Sequence, residues 1–184
     1  MPVTEKTFEA VVLEDPEGRW ELVRGRLREK PPMSFAHNQA SSHLVRQLVL
    51  QLDPSRYQVR QNAGHVRARS GDTYIPDVAV IPVRLMTQFR HDPARLEIYD
   101  DPLPFVAEVW SPSTGSYDID TKLPAYRERG DEEIWRLHPF ERTLRIWRRQ
   151  PDGRYTDLYV HGGVVRLQAF PDVVIDLDEL FAEH

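Results

Sequence analysis

Two acidic residues stand within short apolar segments of the chain, where a carboxylate is unusual. Asp77 lies in the segment 73–82, and Glu108 lies in the segment 104–110. A carboxylate in a buried strand costs free energy unless it is paired, hydrogen-bonded or bound to a metal. Either acid alone is most simply a satisfied structural group, but two of them on separate strands favour a shared site for a divalent cation. Such hard oxygen ligands select Mg²⁺ or Mn²⁺ over zinc.

A second set of polar residues follows at helical spacing. Asp118, Lys122 and Tyr126 are each four residues apart, so they lie on one face of a predicted helix. A surface ion pair would be the ordinary explanation for Asp118 and Lys122. However, the chain has three lysines among its 24 basic residues, so a generic surface cation is usually an arginine. A lysine at this position therefore indicates a need for a compact ammonium, which can hold a water and stabilise charge on a phosphate.

The elements that must position these residues are helices and strands in mixed order. Apolar periodicity and turn residues predict helices over 4–14, 36–52 and 118–129, and a closing helical turn over 176–182. Strands are predicted over 19–29 (as a pair), 57–69, 74–82, 105–110, 133–137, 143–148, 155–160 and 164–167, with an irregular excursion over 84–102. We therefore expect one α+β domain spanning residues 1–184, with a mixed central sheet, flanking helices and extra C-terminal β-strands.

The composition excludes several classes of protein. The 184 residues are 40% hydrophobic and 29% charged, which is typical of one soluble globular domain. A net charge of -5 argues against a purely electrostatic nucleic-acid binder. The absence of cysteine excludes disulfides, cysteine-ligated zinc and a thiol nucleophile. No long apolar run or signal peptide is present, so we expect a cytoplasmic protein with no membrane partner. The arginine and proline content fits either a thermophile or a GC-rich genome.

The ordered motifs resemble the Uma-type restriction endonuclease family, a bacterial branch of the PD-(D/E)XK nuclease superfamily. The matching segments cover nearly the whole chain. They are the strand motif 19–27 with its acid Glu21, the segment 32–37 ending in His37, Pro76-Asp77, the motif 108–114, Asp118-x-x-x-Lys122-x-x-x-Tyr126, the segment 130–135 and the ending 170–181. The resemblance implies a restriction-endonuclease-like fold.

The resemblance also implies an activity: Mg²⁺- or Mn²⁺-dependent hydrolysis of phosphodiester bonds in nucleic acid, with DNA favoured over RNA. In that interpretation Asp77, Glu108 and the Val109 carbonyl ligate the metal, and Lys122 orients the attacking water. Glu21 would serve a second metal or a metal-bound water, and His37 would donate to a phosphate oxygen.

The residues around the metal ligands match the family but depart from the wider superfamily motif at one position. Asp118 and Tyr126 would support the site from behind. The superfamily motif places lysine two residues after the glutamate, where this chain has Trp110. In this branch the lysine comes from the following helix, and Lys122 fits that place.

Two alternatives stay open. A catalytically weak or inactive nuclease fold could act as a nucleic-acid-binding or assembly module, and the same acids could serve another phosphate ester. A Lys122 ammonium more than about 6–8 Å from the carboxylates would favour the inactive module, since catalysis requires hydrogen-bond reach. The flat C-terminal strands further suggest a homodimer.

Overall fold

The computed structural model describes residues 2–92 and 94–182. Its helices are α1 (Glu5–Glu14), α2 (Phe35–Gln51), α3 (Val83–Met86), α4 (Gly115–Tyr117), α5 (Leu123–Arg129) and α6 (Leu177–Leu180). Its strands are β1 (Trp20–Val23), β2 (Arg26–Glu29), β3 (Tyr57–Gln61), β4 (His65–Arg67), β5 (Thr73–Tyr74), β6 (Val78–Pro82), β7 (Ile98–Tyr99), β8 (Phe105–Val109), β9 (Glu133–His138), β10 (Thr143–Arg149), β11 (Tyr155–His161), β12 (Val164–Arg166) and β13 (Val174–Asp176).

A mixed six-stranded sheet forms the centre of the fold, in the order β11-β10-β9-β8-β6-β3. Strands β8 and β9 are parallel, whereas the other neighbouring pairs are antiparallel. This arrangement confirms the expected α+β class with extra C-terminal strands. The edge strand β11 exposes Leu158 and Tyr159. Self-association through these strands stays a prediction.

Helices cover both faces of the central sheet, and strand alternation decides which side chains each helix meets. Ala107 and Val109 of β8 pack in the same cluster as Leu44 of α2. Because side chains alternate along a strand, Val106 and Glu108 point to the opposite face. Val106 packs there in the cluster that contains Tyr126 of α5. Glu108 is therefore directed toward α5 by the pleat of its own strand.

A second sheet, which the sequence pattern did not predict, brings the N-terminal hairpin to the same region. Its five strands have the order β2-β1-β5-β4-β7. Leu22 in β1 pairs with Thr73 in β5. This pairing places the hairpin against the segment that joins β5 to β6, which contains Asp77. The contact joins residues far apart in sequence, so no local pattern reveals it.

The helical segment after β8 is continuous but not uniform. It begins at Gly115, and residues Asp118–Lys122 form a π-helical turn between α4 and α5. Pro124 lies in the first turn of α5, where a missing N–H costs little. Gly130 ends the helix with a left-handed φ of 87°, a backbone conformation that glycine commonly adopts at this position. A single π turn inside a helix frequently marks a functional site.

Local details differ from the predicted pattern in two places. The excursion 84–102 includes most of the short helix α3 and the strand β7. Strand β13 pairs with β12 as a separate ribbon. Within the described residues, no helix is both long and apolar enough to cross a membrane.

Candidate active site

Asp77 lies at the entrance to β6 and is almost completely buried. Its Oδ2 atom accepts hydrogen bonds from His37 Nε2 at 2.9 Å and from the backbone N–H of Val109 at 2.7 Å. His37 lies in the first turn of α2, where Ser34 caps the helix by accepting from the His37 N–H. The carboxylate therefore joins α2 to the end of β8.

Lys30 meets the other oxygen of Asp77. Its ammonium lies 2.7 Å from Asp77 Oδ1, at an angle outside hydrogen-bond geometry, and donates to the Ile75 carbonyl at 3.0 Å. Lys30 follows β2 directly, and its side chain is buried. Sequence reasoning missed this residue. The scarcity of lysine that drew attention to Lys122 would also have drawn attention to Lys30.

Glu108 and Lys122 are brought together as the resemblance requires. The Lys122 ammonium donates to Glu108 Oε1 at 3.2 Å, although it comes from a helix and not from the strand that carries the acid. The Tyr126 hydroxyl donates to the same oxygen at 2.5 Å. All three side chains are buried. The helical segment thus positions the Lys122 ammonium beside the Glu108 carboxyl group.

Glu21 joins the same cluster from the second sheet. Its Oε1 atom lies 3.0 Å from the Lys122 ammonium and accepts from the backbone N–H of Ile75 at 2.9 Å. Its Oε2 atom accepts from the Tyr117 hydroxyl at 2.9 Å. The Ile75 carbonyl in turn accepts from Lys122 at 3.0 Å as well as from Lys30. One peptide segment therefore holds both ammonium groups.

The electrostatics of the cluster separate its acids into two kinds. Burial alone would raise the pKa of Asp77, but Lys30 and His37 hold it well below its usual value. Burial would also raise the pKa of Glu21, but the charges of Lys122 and Lys30 outweigh it and keep that pKa below its usual value. Asp77 and Glu21 are therefore ionised at neutral pH.

Glu108 and Asp118 behave in the opposite way. Burial, reinforced by the charge of Asp77, raises the pKa of Glu108 to about 8 and that of Asp118 to about 6. The pKa of Lys122 is raised despite its burial, because Glu108 and Glu21 surround it. At neutral pH Asp77 and Glu21 are thus ionised beside the two lysines, Asp118 is mostly ionised, and Glu108 is mostly protonated.

Two buried carboxylate oxygens in this region lack a hydrogen-bond donor among the residues that the structure describes. They are Asp77 Oδ1 and Asp118 Oδ2. Both residues line a cavity of about 10 Å³ together with Glu21, Glu108 and the two lysines. Open carboxylate oxygens are the donors that a hard divalent cation prefers, so the residues fit such an ion in chemical type. Between residues 2 and 182, however, no three His, Asp or Glu side chains are already gathered as a coordination shell.

Other predicted residues occupy supporting positions in this conformation. The His37 ring is fully buried and contacts Asp77, so its predicted contact with a phosphate oxygen stays a prediction. Val109 contributes its N–H to Asp77, and the role of its carbonyl as a ligand is also still a prediction. The charge of Asp118 contributes to the raised pKa of Lys122, and its expected support of that ammonium stays a prediction.

Comparisons with known proteins identify the family and the fold of this chain. The sequence model of the family described as "Putative restriction endonuclease" (Uma2) matches residues 6–178. A solved structure of "a putative nuclease belonging to DUF820" from Anabaena variabilis ATCC 29413 superposes with a TM-score of 0.70. The two sequences are 17% identical, and the superposition covers 88% of this chain and 89% of the other. A search of curated proteins found no match.

The structural likeness establishes the shared fold, and the family match extends over nearly the whole chain. That match includes the hairpin with Glu21, the acids Asp77 and Glu108, and the helix with Lys122. The chain belongs to the Uma2 family of restriction endonuclease-like proteins.

Proposed function

We propose that this protein is a divalent-metal-dependent nuclease that hydrolyses phosphodiester bonds, with DNA as the favoured substrate. Asp77 and Glu108 would hold Mg²⁺ or Mn²⁺, and Glu21 and Asp118 border the same cavity. The chemistry that a bound cation supplies is a lowered pKa for a coordinated water and neutralisation of the phosphate. Lys122 orients the attacking water and stabilises the charge that grows on the phosphate.

The observation that carries this proposal is the position of the Lys122 ammonium. It lies 3.2 Å from Glu108 and 3.0 Å from Glu21, well inside hydrogen-bond reach. A structural ion pair needs only one of these contacts. A lysine shared by two acids and bordering a polar cavity is the arrangement expected of a hydrolytic site. This position favours the enzyme over the non-catalytic module.

The supporting residues keep the acids in place. His37 and the Val109 N–H fix one oxygen of Asp77, and the other lacks a hydrogen-bond donor among the described residues, which supports a role as a metal ligand. Tyr126 holds Glu108 from behind. Fixed carboxylates lose little conformational entropy when they bind a cation, which strengthens the site.

A cleavage assay tests the proposal. Duplex DNA, single-stranded DNA and RNA of one sequence are incubated with the protein in Mg²⁺, in Mn²⁺ or with a chelator. We expect cleavage only with metal, and its loss in the variant Asp77→Asn. The matched control is Asp157→Asn, which removes an exposed acid paired with Arg145 on β10 and β11.

Three results would contradict the proposal. They are cleavage that survives the chelator, cleavage that survives Asp77→Asn, and a folded protein that cuts none of the three substrates in either metal. If the last protein still bound DNA, the non-catalytic nucleic-acid-binding module would replace the enzyme as the preferred function.

A further inference from the structure

The two buried lysines of the site are held in different ways. The Lys122 ammonium has three acceptors within 3.2 Å, namely Ile75 O, Glu21 Oε1 and Glu108 Oε1. Lys122 donates hydrogen bonds to two of these acceptors, Ile75 O and Glu108 Oε1, and has a charge contact with Glu21. Lys30 has one hydrogen bond, to the Ile75 carbonyl, and a charge contact with Asp77 that lacks hydrogen-bond geometry. Lys122 is therefore fixed by its partners, whereas Lys30 is held at Asp77 chiefly by charge.

The two oxygens of Asp77 also differ in the number of hydrogen bonds that they accept. Oδ2 has two donors, from His37 and Val109. Oδ1 has none among the described residues and lies 2.7 Å from the Lys30 ammonium. A fixed carboxylate with one satisfied and one open oxygen is prepared for a cation, and a lysine now occupies that position.

The cavity is too small to hold the Lys30 ammonium and a hydrated divalent cation at the same time. Its volume is about 10 Å³, which admits about one water molecule. Mg²⁺ and Mn²⁺ usually retain several waters when they bind to proteins. The cavity is lined by Lys30 itself, together with Arg28 and Met33 from the same side. Withdrawal of the Lys30 side chain is the movement that would enlarge the space beside Asp77.

We propose that Lys30 is a resident counter-ion that occupies the metal position at Asp77 and is displaced when a divalent cation binds. This inference rests on the proposed metal dependence and adds a step to it. Without metal, Lys30 neutralises the buried carboxylate and keeps the fold stable. With metal, the released ammonium becomes available at the mouth of the cavity, where a phosphate would enter.

Amine labelling of the wild-type protein tests this step without any substitution. The chain has three lysines, and Lys6 is exposed on α1 whereas the other two are buried. The protein is treated with an acylating reagent with and without saturating Mn²⁺, and each lysine is quantified by mass spectrometry. We expect Mn²⁺ to increase labelling of Lys30 by at least about tenfold, because a cation a few Å away repels the ammonium strongly. Lys6 and Lys122 should not change.

Calorimetry with Mn²⁺ provides a second measurement. Lys30→Met removes the competing charge, so the variant should bind Mn²⁺ at least about tenfold more tightly than the wild type. Lys6→Met is the matched control. If Lys30→Met folds poorly without metal, Mn²⁺ should raise its melting temperature more than that of the wild type, because the ion replaces the missing counter-charge.

The outcomes separate this inference from the proposed function. Wild-type protein that binds Mn²⁺ while Lys30 stays protected, or a Lys30→Met variant that binds no more tightly, would overturn the displacement and leave the metal-dependent nuclease standing. Failure of both wild type and Lys30→Met to bind Mn²⁺ would overturn both.

Discussion

Two groups of buried charges in this protein differ in how completely their side chains are hydrogen-bonded. The Arg129–Asp131 pair is closed: the Asp131 carboxylate accepts from Arg129 Nε at 3.1 Å and from the Leu103 N–H at 2.7 Å. The rest of the guanidinium donates to backbone carbonyls, including those of Tyr99 and Asp101 at 3.0 and 2.6 Å. In the site cluster, by contrast, Asp77 Oδ1 and Asp118 Oδ2 have no donor among the described residues.

The difference shows what each group is for. Breaking a closed buried pair exposes an uncompensated charge, so such a pair locks the segments that it joins. The site cluster is open, because two of its carboxylate oxygens lack donors. It therefore stabilises the fold less than a fully hydrogen-bonded cluster would. Unpaired buried oxygens persist where they have another partner in a different state, which here is the proposed cation. If the proposed function is correct, stability and chemistry depend on different buried acids.

The largest expected effect is the loss of the closed pair. Arg129→Met leaves Asp131 buried without its counter-charge and should lower the free energy of unfolding by about 3–5 kcal/mol. Urea unfolding measures the change. Arg154→Met, which removes an exposed partner of Asp152, is the control and should cost less than about 1 kcal/mol. A loss below 1 kcal/mol in Arg129→Met would mean that the pair is not a structural lock.

Removal of the fixed lysine should affect chemistry instead. Lys122→Met loses the ammonium beside Glu108 and Glu21, and metal-dependent cleavage should fall by about 10²–10³-fold. The rate is measured on folded protein at saturating Mn²⁺. Folded Arg129→Met should cleave at nearly the wild-type rate, as should Lys6→Met. Equal losses of cleavage in Lys122→Met and Arg129→Met would remove the distinction between the two groups.

The pH dependence of stability gives a smaller effect. Because burial raises the pKa of Glu108 to about 8 from its usual 4.5, the folded state holds a proton that the unfolded state has released. The free energy of unfolding should therefore fall as pH rises from about 4.5 to about 8. Glu108→Gln cannot ionise, so its curve should be flatter by about 1–3 kcal/mol across this range.

Urea unfolding at several pH values in the presence of a chelator measures this difference. Asp118, with its pKa raised to about 6, should leave a residual slope at the acidic end in both proteins. The lowered pKa values of Asp77 and Glu21 act below this range, since such groups lose their stabilisation only in acid. Parallel curves for wild type and Glu108→Gln would show that Glu108 is ionised at neutral pH.

The sequence made some of this contrast predictable. Asp77 and Glu108 interrupt apolar segments, and the i to i+4 spacing of Asp118 and Lys122 places them on one side of a helix. These are local patterns with direct physical causes. The family resemblance then explained why a helix, and not the strand, supplies the lysine.

Lys30 was not predictable in the same way. It follows the strand Arg26–Glu29, whose three charged residues are typical of a surface hairpin. The pairing of β1 with β5 brings that hairpin beside Ile75, where Lys30 is buried. The π turn at Asp118–Lys122 was likewise invisible, because its hydrogen-bond shift depends on packing and not on residue type. The position of Lys30 thus depends on strand pairing between distant segments, which local sequence periodicity does not reveal.

The smallest expected effect compares two tyrosine hydroxyls, one in each group. Tyr117 donates to Glu21 at 2.9 Å, and Tyr155 donates to the Asp131 carbonyl at 2.6 Å. Each substitution by phenylalanine removes one hydrogen bond and should lower the free energy of unfolding by about 0.5–1.5 kcal/mol. Because Glu21 keeps its contacts with Lys122 and Ile75, cleavage by Tyr117→Phe should fall by less than about tenfold.

Cleavage by Tyr155→Phe should not change, since its partner lies in the closed group. Matched stability losses with different cleavage rates would show that a hydroxyl in the open group also tunes the reaction. A cleavage loss well above tenfold in Tyr117→Phe would instead assign Tyr117 a direct contact with the substrate. Tyr117 lies on the cavity wall beside Arg28, whose guanidinium carbon is 3.2 Å from the centre of the ring.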